Sequence, residues 1–218
     1  MAINFSKVVC ITFLFQFLLL HSQESLTQKE FTIAFLSLKK IKINNIKSEL
    51  FQLLSPQKHY HYLHTSKYNK IQKQFTTKLK KTVATWKIPQ TDYKITLTGI
   101  FGDYNFKKQR FKLRGIISEG EQKLYKPILL YRSTSIEFPS IRFLNTKKFR
   151  YFFVPLNTAK QLYDSRKFEQ PMNRNVQLDI YAKLIKYNSK KNSIEFTISR
   201  IEVFNEKKNL LSIMEIKK

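Results

Sequence analysis

Three histidines, His59, His61 and His64, stand close together in the stretch KHYHYLHTS. Imidazole nitrogens at such spacing could serve zinc or copper. A site of that kind needs further donors, yet the sole cysteine of the chain is Cys10 and no carboxylate lies nearby. The stretch therefore reads as an aromatic-rich polar loop and not as a metal centre. The 15 acidic residues are scattered, without the paired context that glycoside cleavage requires. No Gly-x-Ser-x-Gly elbow presents a nucleophile, and the four glycines form neither a Walker loop nor Gly-x-Gly-x-x-Gly. No catalytic residue, no metal ligand and no cofactor is expected.

The abundant chemistry is cationic. Lys and Arg total 40 against 15 Asp and Glu, a net charge of +25. Such a field favours anionic partners: phospholipid headgroups, acidic polysaccharide, acidic protein or nucleic acid. The plainer reading is that the charge maintains solubility. Charge concentrates in GDYNFKKQRFKLRG, Gly102 to Gly115, where Lys107, Lys108, Arg110, Lys112 and Arg114 are the candidate anion-binding residues. Arg110, Lys112 and Arg114 alternate with Phe111 and Leu113, so they share one face of a strand at about 6–7 Å spacing. That spacing suits successive phosphates or carboxylates. Positive charge also protects an edge strand from unwanted pairing, and edge protection is the preferred reading of these three residues.

The opening of the strand has a near copy. YNFKKQRFKLRGI from Tyr104 and YNSKKNSIEFTISRI from Tyr187 both begin Tyr-Asn-x-Lys-Lys and run into an alternating strand. Asn tolerates left-handed turn geometry, so each copy predicts a hairpin turn. The outward faces diverge: three cations in the first, but Glu195, Thr197 and Ser199 in the second. The clustered glycines, Gly99, Gly102, Gly115 and Gly120, predict the tight hairpin and its exits.

These residues need elements to hold them. Residues 1–23 read as a signal peptide: Lys7 precedes the apolar run Val8–Leu20, which is short for a bilayer span. No small-x-small cleavage pair follows it, so an uncleaved inner-membrane anchor is the alternative. Either way the body of the chain is placed outside the cytosol, periplasmic or secreted, and lacks cysteine. Residues 24–90 form a helical N-terminal portion. Within it Phe31–Ile43 has mixed periodicity, Ile46–Leu54 is a short helix ending before Pro56, and Ile71, Phe75, Leu79 and Val83 mark an amphipathic helix. That helix is expected to pack on a sheet with its lysines in water, an anionic membrane being the other option for its cationic side. Residues 91–218 form a β-rich portion of the same globular domain. Strands are predicted near Tyr93–Gly99, Arg110–Arg114, Leu124–Tyr131, Ser135–Phe143, Phe149–Val154, Val176–Leu184 and Ile194–Val203. The apolar phase of the last strand shifts near Ser199–Arg200, which predicts a β-bulge. One further helix follows Pro155. The fold class is α+β: an antiparallel sheet of roughly six to eight strands carrying the helical portion.

Two stretches add a comparison. KKFRYFFV, Lys147–Val154, interleaves bases with aromatics as RNA-stacking strands do, without the glycine such a motif needs. The positions Tyr104, Phe106, Gln109, Phe111, Leu113 and Gly115, with the later FRYFFVPLNTAKQLYDSR, resemble a family of uncharacterised exported bacterial proteins, a domain of unknown function. Asn105 stands where that family's pattern has an acid, and Lys112 where Pro is common. The resemblance, over residues 90–218, implies secretion and a β-rich domain and carries no activity. The expectation is an exported, non-enzymatic binder of an anionic partner. A nucleic-acid-binding protein is the first alternative and an unrecognised hydrolase the second.

Overall fold

The computed structural model describes residues 26–114, 137–164 and 174–216. The first helix, α1 (Gln28–Lys39), starts at a reciprocal cap in which the Thr27 hydroxyl accepts from the Glu30 N–H and the Glu30 carboxylate from the Thr27 N–H. It ends at Lys40, in left-handed geometry with φ 53°. Phe31 through Leu36 are all buried. Phe31, Ala34 and Phe35 face the sheet core, whereas Ile33 and Leu36 face a second cluster made by helices. A helix covered on both sides is apolar around much of its circumference, which explains why its periodicity is mixed.

Helices α2 (Lys47–Leu54), α3 (Pro56–Tyr62) and α4 (Tyr68–Thr85) follow. The predicted loop over KHYHYLHTS is largely α3. Pro56 sits in its first turn, where a missing N–H costs nothing and the fixed φ suits the helix. His59 is buried edge-on to Phe51, with its Nδ1 3.3 Å from the Tyr68 hydroxyl, while His61 and His64 are exposed. No group of potential metal ligands occurs among the described residues. The amphipathic helix α4 does not lie on the sheet as expected. Its Leu79, Phe75 and Val83 pack with Ile33, Leu36 and Leu50 of α1 and α2. Helix α1 already occupies the sheet face, so α4 forms a further layer upon it.

Strands begin at β1 (Tyr93–Asn105) and β2 (Arg110–Arg114), followed by β3 (Ser140–Phe143), β4 (Tyr151–Phe153), β5 (Asn175–Asn188), β6 (Ser193–Phe204) and β7 (Leu210–Glu215). The one further helix, α5 (Leu156–Asp164), connects toward β5. The strand order is β3-β6-β5-β1-β2-β4, with β7 also on β6. Pairing is antiparallel except that β3 runs parallel to β6, so the sheet is mixed. The predicted strand Leu124–Tyr131 lies outside the described residues. Both β3 and β7 use the same side of β6, in its first and second halves. Between the halves Ser199 is the extra residue of the expected bulge, because Ile198 pairs Ala182 while Arg200 pairs Tyr181. Its hydroxyl lies within hydrogen-bond reach of the Asp92 carboxylate and of the Tyr181 carbonyl.

The concave face is filled by Phe101, Phe111, Phe152, Phe143, Phe196 and aliphatic residues of β5 and β6. Phe111 and Phe152 stack at 5.3 Å, fixing β2 against β4. Gly99 provides a close approach: a Cβ there would lie 2.4 Å from Leu178 Cδ1. The glycines do not make the hairpin tip. Gly102 lies within the β1 bulge between Phe101 and Tyr104, and the tip is Phe106–Gln109. Gly115 and Gly120 lie outside the described residues.

Candidate anion-binding face

The two Tyr-Asn-x-Lys-Lys copies fold into the same turn. Asn105 Oδ1 accepts from the Lys108 N–H at 2.9 Å, and Asn188 Oδ1 from the Lys191 N–H at 3.2 Å. The last loop residue of each is left-handed, Gln109 at φ 45° and Asn192 at φ 41°. Asn105 then pairs Arg110, and Asn188 pairs Ser193. The side-chain bond closes the loop, and the left-handed residue returns the chain to the ladder. Lys107 and Lys108 are thereby held at an exposed tip.

Beyond that tip β2 is flanked on both sides. Arg110, Phe111 and Lys112 pair Phe153, Phe152 and Tyr151 of β4, while β1 lies on the other side. Leu113 N–H also donates to the Arg150 carbonyl at 2.8 Å. The strand is therefore not an edge, and edge protection does not account for its cations; β4 takes the outer place. The expected alternation holds, with Phe111 and Leu113 buried, Arg110 and Lys112 half-buried, and Arg114 exposed.

This pairing brings two separate sequence signals together. KKFRYFFV supplies β4, whose outward Tyr151 and Phe153 stand opposite Lys112 and Arg110. The Arg110 guanidinium lies over the Tyr151 ring at 3.7 Å, a cation–π contact that holds it flat against the sheet. Its Nε is buried without a hydrogen-bond partner. Phe153 is 60% exposed and Phe106, at the tip, 73%. The Tyr104 hydroxyl donates to the Val154 carbonyl at 2.8 Å, and Val154 N–H to the Gln109 carbonyl at 3.1 Å, so the hairpin is tied to the end of β4. Phe106, Tyr151 and Phe153 complete the face. The signal for Tyr151 and Phe153 was the interleaving of bases and aromatics in KKFRYFFV, but nothing local says that it pairs with β2.

Elsewhere on the outward face several cations meet carboxylates. Asp179, 4% exposed, takes Lys94 at 2.7 Å and hydrogen bonds from Thr96 and Gln177. Burial pushes its carboxyl up, but those three hydrogen bonds and the Lys94 charge outweigh burial and leave it below the usual carboxylate range. Lys94 is held above its ordinary value by its hydrogen bond to Asp179. Glu195, 3% exposed, binds Arg142 at 2.7 Å and Asn188 at 2.8 Å. Its burial is likewise outweighed, by those bonds and by the charges of Arg142 and Lys186. Arg200 lies over Tyr181 and meets Glu202 at 3.0 Å.

The β1–β2 hairpin differs. Its single acid, Asp103, is engaged by Arg174 at 2.9 Å, and that hydrogen bond and charge, with Arg114 nearby, hold its carboxyl below the ordinary range. Among the described residues no carboxylate pairs with Lys107, Lys108 or Arg110. Unmatched charge and exposed rings therefore coincide at one corner of the sheet. Comparison with family models, curated proteins and solved structures returns no match for this chain.

Proposed function

We propose that the protein is a non-enzymatic binder of anionic surfaces, that the surface is a lipid headgroup layer, and that it is met outside the cytosol. The observation that carries this reading is the pairing of uncompensated cations at Lys107, Lys108 and Arg110 with the exposed rings Phe106 and Phe153. Cations draw the corner to a negative layer, contributing about 1 kcal/mol each near the surface. Rings beside them reach the apolar boundary beneath the headgroups. Export rests on Val8–Leu20 and the basic start before it.

Nucleic acid is the competing partner, and one contact weighs against it. Single strands stack successive bases on open aromatic faces. Of the two outward rings on β4, Tyr151 is already covered by Arg110. Among the described residues no helix is long and apolar enough to cross a membrane.

The test is cosedimentation of the full chain with phosphatidylglycerol-containing vesicles, with phosphatidylcholine vesicles, and with anionic vesicles plus a single-stranded oligonucleotide. Binding to the anionic vesicles alone, reduced by salt and resistant to the oligonucleotide, is expected. Binding to the oligonucleotide with none to vesicles overturns the reading. Fractionation of producing cells tests export, and an intact chain in the cytosol rejects it.

A further inference from the structure

The amphipathic stripe of α4 is not fully covered by α1 and α2. Ile71 and Phe75 remain half-buried beside the buried Leu79, and with Ile33, Phe51 and Leu54 they floor a groove of about 400 Å³. The groove follows α4 from Ile71 to Thr82, roughly 16 Å at 1.5 Å per residue. Lys29, Lys58 and Lys78 line it from three different helices, and no carboxylate is among the described residues that do. Here the three lysines surround a concave apolar floor, unlike a solvated cationic helix face.

We propose that this groove holds one medium-chain fatty acid, its hydrocarbon against Ile33, Phe51, Phe75 and Leu79 and its carboxylate among the three lysines. An apolar recess with a few convergent charges is the usual form of a small-ligand site. At about 30 Å³ per water-sized group, the volume takes on the order of a dozen carbons, hence one acyl chain and not the two of a membrane phospholipid. The cationic rim selects a carboxylate over a neutral head. This site shares no residue with the β2–β4 corner and does not depend on lipid-surface binding.

The experiment is calorimetric titration of the full chain with saturated fatty acids from octanoate to hexadecanoate, each below its micellar concentration. Affinity is expected to rise about fourfold per methylene while the chain fills the groove, then level near twelve carbons. Dodecanol is expected to bind at least tenfold more weakly than dodecanoate. Gln74→Trp, which places a ring in the groove from an exposed position, and Lys58→Glu with Lys78→Glu are both expected to weaken dodecanoate by tenfold or more. Lys107→Gln with Lys108→Gln is expected to leave it unchanged, separating this site from the membrane-binding corner. Absence of dodecanoate binding, equal affinity for the alcohol, or a length series without a plateau overturns the proposal. Full affinity in folded Gln74→Trp or the double charge reversal does so too.

Discussion

Neutralising the exposed cations of the first hairpin is the perturbation that bears most directly on membrane binding. Lys107→Gln, Lys108→Gln and Arg114→Gln together remove three charges from exposed positions. Arg110 is left in place because its stack on Tyr151 is part of the sheet. At about 1 kcal/mol per cation near an anionic layer, the triple variant loses about 3 kcal/mol, roughly 150-fold in vesicle partitioning at low salt. At 0.5 M salt the screening length falls to less than about 5 Å, and wild type and variant should converge within a few fold. The second turn supplies an internal control. Lys190 and Lys191 occupy the same loop geometry and are also exposed, but Ser189 stands where the first turn has the exposed ring of Phe106. Lys190→Gln with Lys191→Gln should cost less than fivefold. Cosedimentation at 20 mM and 500 mM salt reads all three proteins. A loss below threefold in the triple variant, a loss that salt does not change, or an equal loss in the control pair refutes the assignment to β2 and its turn.

Four further outcomes follow from the same contacts. Phe106→Ser with Phe153→Ser should remove the salt-resistant part of vesicle binding, on the order of 30-fold from about 1 kcal/mol per ring, with little change in melting temperature. Glu195→Leu takes a buried carboxylate partner from the mostly buried Arg142 and should cost about 3 kcal/mol, or on the order of 10 °C in melting temperature; adding Arg142→Leu should recover part of it. Gly99→Ala drives a methyl into Leu178 and should destabilise by about 1–3 kcal/mol in urea unfolding, whereas Thr98→Ala, exposed on the same strand, should be nearly neutral. Asp179 and Glu195 are held below their ordinary values of 3.8 and 4.5, so the stability they contribute is complete above those values. It is lost as pH falls through the lower folded values, and the urea midpoint should decline from about pH 4.5 downward. A midpoint flat to pH 2.5 contradicts this. The raised Lys94 acts in the opposite direction, its contribution being lost only as pH rises beyond the ordinary lysine value of 10.5.

Local chemistry was legible wherever one element carries its own signal. The α+β class, the helix ending at Leu54, the outward alternation of Arg110, Lys112 and Arg114, the bulge at Ser199 and the twin turns at Asn105 and Asn188 were all readable from residue patterns spanning a few positions. Such signals survive in sequence because side-chain period, caps and turn bonds are short-range. What only the tertiary structure decided was who lies beside whom. β4 beside β2 turns a supposed edge into an interior strand and places Tyr151 under Arg110, across some forty residues of chain. α1 between sheet and helices diverts α4 from the sheet and leaves its lysine-rimmed groove. Helix α3 escaped notice because its polar, aromatic composition resembles a loop, and it is held by His59 packing on Phe51 and Tyr68. Charge can be counted in a sequence, but whether a charge is matched depends on the partner that folding brings within a few ångströms. Among the described residues of this +25 chain, Lys94, Arg142 and Arg200 thus meet carboxylates, while Lys107, Lys108 and Arg110 of the first hairpin meet none.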